Sequence, residues 1–259
     1  MQIHWLQTID STNTEAMRRI AELPSGTVLA AREQTAGRGQ RGNSWFTEPG
    51  ANLTFSILLK FGPGELPAAQ AHRLNYIMSL AVASFLEECG VSPAVKWPND
   101  IYLGRRKICG ILIENVLSGA SVQASVIGVG LNINQREFPQ LSNATSLSLS
   151  TGKKYDLEPS LERLIAIFEQ LLSASSSGYD AIFERYTSML FQKGTSAQYQ
   201  DYLSEEQFEG VIEGVDADGR LIVRDLTGRK RRFRFKELGY ILWNEKFGWI
   251  ICGLRPASW

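Results

Sequence analysis

KWPNDIYLGRRKICGILIE, running from Lys96 to Glu114, sets two lysines, an Asn-Asp pair and a mid-strand glycine within two expected strands. Lys96 and Lys107 are compact cationic points. Asn99 and Asp100 offer oxygen ligands of the kind Mg²⁺ prefers. Gly110 removes a side chain where a ligand would touch backbone. Together they read as a site for holding anions, as a carboxylate meeting a nucleoside triphosphate requires. The competing reading is a surface strand pair with solvated charges, Lys96 pairing Asp100. It accounts for the charges but not for Gly110, and it gives the proline-fixed Trp97-Pro98 backbone no purpose, whereas that rigidity suits presentation of Asn99 and Asp100.

Outward from this stretch, Asp100 to Leu103, Lys107 to Val116 and Val122 to Val129 are expected strands. The turns at Gly104-Arg105-Arg106 and Ser118-Gly119 are short enough to imply an antiparallel meander. Upstream, Thr27 to Arg32 and LTFSILLK (Leu53 to Lys60) read as strands. A helix is expected over Asp10 to Glu22, with Thr12 and Glu15 fitting a capping box. A second runs from about Ala68 to Cys89, where Leu74, Ile77, Met78, Ala81 and Phe85 keep a helical period. Downstream, Leu161, Leu164, Ile165, Phe168, Leu171 and Leu172 mark a long amphipathic helix, and Ile182, Phe183, Tyr186, Met189 and Leu190 a further one. Helices flanking a meander give an α+β layer. From Phe208 the texture changes to short alternating runs with turns at Asp218-Gly219 and Thr227-Gly228, a small all-β domain. The expected domains are residues 1–200 and 201–259.

Composition narrows the function classes. The chain has 259 residues, and its Lys+Arg count of 27 balances an Asp+Glu count of 27. No global field steers it to DNA or an anionic membrane. No apolar run approaches the roughly 18 residues of a membrane span, and the N-terminus lacks the pattern of a secretory signal. Cys89, Cys109 and Cys252 are odd in number and lack CxxC spacing, so reduced thiols in a cytoplasmic protein are expected. His4 and His72 are isolated, which disfavours a metal pair or a His-based triad.

Gly37, Gly39 and Gly42 literally satisfy GxGxxG. A dinucleotide fingerprint needs a helix opening directly after the glycines, but Asn43, Ser44, Trp45 and Pro49 follow and lead into a strand. The stretch reads instead as a long mobile loop, since it exceeds the usual roughly two to six residues between strands. Arg38 and Arg41 offer planar forks to an anion, and Trp45 a face for a base or an apolar clamp. Ser11, Thr12 and Asn13 read first as helix-cap residues; they are equally suited to a neutral polar group such as a urea carbonyl. Gly128 and Gly130, on one strand face, open room for a ligand. The run Arg229 to Lys236 is either a solvated strand face or a contact for an acidic protein or triphosphate.

In combination, GRGQRGNSW, KWPNDIYLGRRKICGILIE and GVGLNIN resemble, in order, three motifs of the biotin protein ligases, over Asp10 to about Asn134. The resemblance implies a catalytic domain related to class II aminoacyl-tRNA synthetases, with a mixed, largely antiparallel sheet and flanking helices, followed by an SH3-like β-barrel. It implies that biotin and ATP, with Mg²⁺, give biotinyl-5′-adenylate and pyrophosphate, and that the biotinyl group passes to a lysine of a biotin carboxyl carrier protein. By the family's pattern, Ser11, Thr12, Asn13, Gln34, Gly37, Arg38, Gly39, Gln40, Lys107, Gly110 and Gly128 would surround biotin. Arg38, Arg41, Trp45, Asn99, Lys107 and Asn132 would surround the nucleotide, Asp100 the metal, and Lys107, Arg38 and Asp100 would be catalytic. The family's loop often carries arginine at the positions of Gln40 and Asn43, and an aromatic at Thr54. KELGYILW departs from the barrel's usual ending. Rivals are a lipoate or octanoate ligase of the same fold and an inactive binding module. A ligase that is also a repressor would need a DNA-binding domain, for which the residues before Ser11 are too few. The protein is expected to be a monomer or homodimer.

Overall fold

The computed structural model describes residues 1–139, 143–244 and 248–252. β1 (Gln2–Ile9) is joined through α1 (Thr12–Arg18) to β2 (Thr27–Gln34), and the two strands are parallel with Gln2 opposite Thr27. A parallel pair needs such a crossover. The sequence reading has no strand at Gln2–Ile9, because this edge strand alternates exposed and half-buried residues without an apolar core pattern. α1 is also shorter than expected. Its cap is Ser11, whose Oγ accepts from the Thr14 N–H, rather than Thr12.

The first sheet continues through β3 (Leu53–Lys60) and, after α2 (His72–Glu88), through β4 (Pro93–Lys96), β5 (Asp100–Leu103), β6 (Arg106–Ser118) and β7 (Ser121–Leu131). Its strand order is β1-β2-β3-β7-β6-β5-β4. β3 is buried along almost its whole length, as a central strand covered on both faces should be. From β5 to β7 the strands form the expected antiparallel meander, to which β4 adds a strand the sequence pattern does not announce, and Gly104 and Gly119 supply the positive φ of its tight turns. α2 packs on β4, β5 and β6, and α1 on β2, β3 and β7. Beneath α1, Ala16 and Leu23 join Leu29, Leu58, Ala124 and Val126 in one apolar cluster.

Two further helices follow: α3 (Leu147–Thr151), capped by the Ser146 side chain, and α4 (Leu157–Ser188), which leaves helical geometry at Gly178. That break falls where the sequence separates two amphipathic runs. The chain divides into compact units at Phe183 and Glu184.

The second unit is an antiparallel sheet of β8 (Ser196–Asp201), β9 (Gln207–Val215), β10 (Leu221–Asp225), β11 (Lys230–Phe233), β12 (Leu238–Asn244) and β13 (Gly248–Cys252). Their order is β11-β10-β9-β8-β12-β13, and no pairing of β11 with β13 closes it into a barrel among the described residues. β8 pairs with β9 and β12, so this sheet starts ahead of residue 201. Tyr199, Phe208, Phe233 and Tyr240 pack ring against ring in its core. Phe235 lies beyond β11 and is 41% exposed, whereas Phe233 on β11 is buried.

Candidate active site

Strand register lines up one row of residues across the first sheet. Lys96 pairs with Asp100, Asp100 with Gly110, Gly110 with Gly130, Gly130 with Thr54, and Thr54 with Ala31. The next row runs Leu112, Gly128, Ser56, Leu29. Paired residues share a face and side chains alternate along each strand. On β7 this face therefore carries Ala124 and Val126 under α1, then Gly128 and Gly130. Side chains shrink to nothing at one end of the sheet, leaving a depression lined by main chain.

Lys107 reaches that depression through a β-bulge. Ile101 opposes Cys109 while Tyr102 opposes Lys107, leaving Ile108 as the extra residue. By strict alternation Lys107 and Gly110 would point to opposite faces; the inserted residue re-aims Lys107 onto the face of Asp100 and Gly110. Its Nζ lies 2.7 Å from Asp100 Oδ1. Its main chain is held on the other side by Asn143 and Thr145: Lys107 N–H donates to Asn143 O at 2.7 Å, and Thr145 N–H to Lys107 O at 2.9 Å. Cys109 between them is fully buried, and burial pushes its thiol well above the ordinary range. It is inert as a nucleophile.

The α1 end of the depression is a hydrogen-bonded polar cluster. Gln34 Oε1 accepts from the Thr12 N–H (2.8 Å) and Oγ1 (3.1 Å). Ser56 Oγ contacts Thr12 Oγ1 (2.7 Å) and Asn13 Oδ1 (2.5 Å). Asn13 Nδ2 donates to Glu114 Oε2 at 3.0 Å. Asn13 needs Gly128 beneath it, since a Cβ there would stand 2.1 Å from Asn13 Oδ1. Ser56 had no role in the sequence reading. Its signal is a hydroxyl inside the apolar run LTFSILLK.

Over the depression lies GRGQRGNSW, folded back as a short hairpin. Trp45 N–H donates to Gly37 O (2.9 Å), Gly39 N–H donates to Asn43 O (2.7 Å), and Arg38 bridges Ser44 around a 3₁₀ turn at Gln40–Gly42. A Cβ on Gly37 would meet Trp45 O at 2.3 Å. The indole of Trp45 covers the glycine pair: a Cβ on Gly130 would stand 2.2 Å from Cε2, and one on Gly110 3.1 Å from Cζ3. Lys107 Nζ is 5.6 Å from the ring centroid, within cation–π range. Trp45 Nε1 is buried and meets no acceptor among the described residues. The Arg38 guanidinium grips Glu114 with both terminal nitrogens, at 2.9 and 3.0 Å. Gln40 Nε2 reaches Ile111 O at 3.5 Å.

The expected residues do not all converge. Asn99 is buried and donates its Nδ2–H to Ile111 O, while Ile111 N–H returns a bond to Asn99 O. Asn132, also buried, donates to Thr145 O at 3.0 Å. In this arrangement both brace the segments that carry Asp100 and Lys107. The side chain of Arg41 lies outside the described residues. Lys96 is buried, with Nζ 5.5 Å above the Tyr102 ring.

In the second unit much of the basic run is neutralised at home. Arg231 pairs with Asp225 and Glu206, Lys230 with Glu213, and Arg232 lies 3.8 Å from Asp216. This favours the solvated strand face over a triphosphate contact.

A family model described as the biotin/lipoate A/B protein ligase family matches residues 5–132. The chain is similar to the biotin–[acetyl-CoA-carboxylase] ligase of Paracoccus denitrificans, at 32% identity over 234 residues, 87% of this chain and 95% of that protein. It is 44% identical over 224 residues to the bifunctional ligase/repressor BirA of Salmonella typhimurium, covering 84% of this chain and 68% of that one. The solved biotin protein ligase from Aquifex aeolicus in complex with biotin and ATP matches with a TM-score of 0.76 at 27% identity, over 92% of this chain and 97% of that one. This chain belongs to the biotin protein ligases.

Proposed function

We propose that the protein activates biotin with ATP and transfers the biotinyl group to a lysine of a biotin carboxyl carrier protein. In the first step a biotin carboxylate oxygen attacks the α-phosphorus of ATP, forming biotinyl-5′-AMP as the bond to pyrophosphate breaks. In the second the acceptor lysine amine attacks the acyl carbon, AMP leaves with the bonding pair, and the amine loses a proton. The observation that carries this reading is the Lys107 ammonium re-aimed over the glycine pair beneath Trp45. Carboxylate and α-phosphate repel, and a fixed cation between them offsets that repulsion and stabilises charge as it develops. Arg38 adds a second cation, of whose five N–H donors Glu114 takes two.

The polar cluster of Ser11, Thr12, Asn13, Gln34 and Ser56 suits a ureido ring, which both accepts and donates. A linear or dithiolane acid lacks the ureido donors and acceptors that would engage this cluster. This favours biotin over lipoate. The orphaned Trp45 Nε1–H offers a donor to the nucleotide. Asp100 fits Mg²⁺ only as a partner to an ion delivered with ATP, because no group of three His, Cys, Asp or Glu side chains forms a cage among the described residues. Such an ion would offset phosphate charge. The mixed anhydride is labile to water, so the hairpin above it shields it until the acceptor arrives.

Biotin-dependent exchange of labelled pyrophosphate into ATP tests the reading. Exchange with biotin is expected; exchange with lipoate in its place would overturn it.

A further inference from the structure

A carboxylate on the face that receives biotin carboxylate and triphosphate is out of place unless something uses it. Glu114 is that carboxylate. It stands on β6 opposite Val126, two pairs beyond Leu112 and Gly128, on the face of Gly110. Its Oε1 accepts from the Arg38 guanidinium, while its Oε2 accepts from Arg38 and from Asn13 Nδ2. Asn13 continues through Ser56 and Thr12 to Gln34. One hydrogen-bonded chain thus runs from the hairpin, through Glu114, to the polar cluster at the start of α1.

From this we infer that Glu114 is a positioning residue for biotin binding, holding Arg38 and the Gly37–Trp45 hairpin in place over the ligand while keeping Asn13 turned toward it. The inference rests on the reading that the hairpin and α1 end form the biotin site. Glu114 does not touch the reacting atoms. Its pair with Arg38 is partly exposed, with side chains 26% and 45% accessible, and a simple surface pair of that kind contributes little. Two features set this one apart: it is bidentate, which fixes orientation, and its carboxylate is shared with a second element. Glutamate is required rather than glutamine, because an amide nitrogen facing the guanidinium would replace an attraction with a clash of donors.

The test measures pyrophosphate exchange and tryptic cleavage after Arg38 and Arg41 in the wild type, Glu114→Gln and Arg38→Ala. In Glu114→Gln, KM for biotin is expected to rise about tenfold while kcat falls less than about threefold. Without ligands, tryptic cleavage after Arg41 is expected to quicken about tenfold in Glu114→Gln and in Arg38→Ala, and the double variant to be cut no faster than either single one. An unchanged KM overturns the inference. So does a raised KM with unchanged cleavage, which would make Glu114 a ligand contact and not a latch. If Glu114→Gln does not fold, the cleavage rate of Arg38→Ala decides alone, and an unchanged rate overturns it. A wild type that fails to exchange with biotin sinks the underlying function instead.

Discussion

Lys107 and Gly110 share one face of one strand although they stand an odd number of residues apart, because the bulge at Ile108 intervenes. The ammonium and the bare backbone it overhangs are thereby joined in a single depression, with Asp100 2.7 Å from the Nζ. Lys107→Ala is expected to lower pyrophosphate exchange by about 10²–10³-fold, the scale of losing one fixed electrostatic partner. The thermal midpoint should stay close to that of the wild type, since the side chain is partly exposed. Lys107→Arg should not rescue, because a planar fork cannot stand in for a compact charge. Near-normal exchange by the alanine variant would show that the lysine is dispensable.

Gly128→Ala and Gly130→Ala should fail in different ways. The first drives a methyl group into Asn13 Oδ1, and the second into the Trp45 indole. Each is expected to destabilise by about 1–3 kcal/mol, the usual cost of overpacking. Gly128→Ala should chiefly raise KM for biotin. Gly130→Ala should instead expose the hairpin to trypsin, because the indole is displaced. Denaturant titration, kinetics and proteolysis of both variants would separate the two patterns.

Asn132→Ala removes the donor to Thr145 O and leaves a buried carbonyl unmet. A loss of about 1–3 kcal/mol is expected. Thr145 also donates to Lys107 O, so kcat should fall as well, through the main chain of Lys107. Wild-type kcat in a destabilised variant would show that the Asn143–Thr145 segment does not position Lys107.

Asp225 gives the second unit a pH signature. The Thr227 hydroxyl, the Arg231 guanidinium and main-chain N–H groups hold its pKa down to about 2. A folded value below the unfolded one means the stabilisation is full above the ordinary carboxylate range, here about 3.8, and is lost as pH falls from there to about 2. Asp225→Asn should lower urea resistance at neutral pH and flatten the acid limb in that window. An unaltered acid limb would show that Asp225 does not contribute.

Much of this was legible because it is local. The meander follows from the spacing of Gly104 and Gly119, and α2 from its helical period. The anion-holding character of KWPNDIYLGRRKICGILIE reads from residue types, and its assignment to biotin and ATP from the family's motifs. Three features needed the third dimension. Gln2–Ile9 becomes a strand only through its parallel partner, whose crossover its own pattern does not announce. The bulge at Ile108 has no sequence mark, yet it decides which way Lys107 points. Asn99 and Asn132 are nucleotide contacts by the family's pattern; here both are buried and give their side-chain N–H groups to main-chain carbonyls. Glu114 closes the quoted stretch, and a lone carboxylate on a strand reads as solvated until Arg38 arrives from another segment.

The floor of Gly110, Gly128 and Gly130 seats Asn13 and the Trp45 indole on peptide groups, which neither titrate nor swing. The floor therefore stays the same across pH and ligand state, and it cannot be retuned without being filled. Discrimination among acids falls to the walls, where Asn13, Trp45 and Lys107 each rise from a different segment. A change of substrate would be sought in those walls and in the contacts that hold them upright, with the glycines left alone.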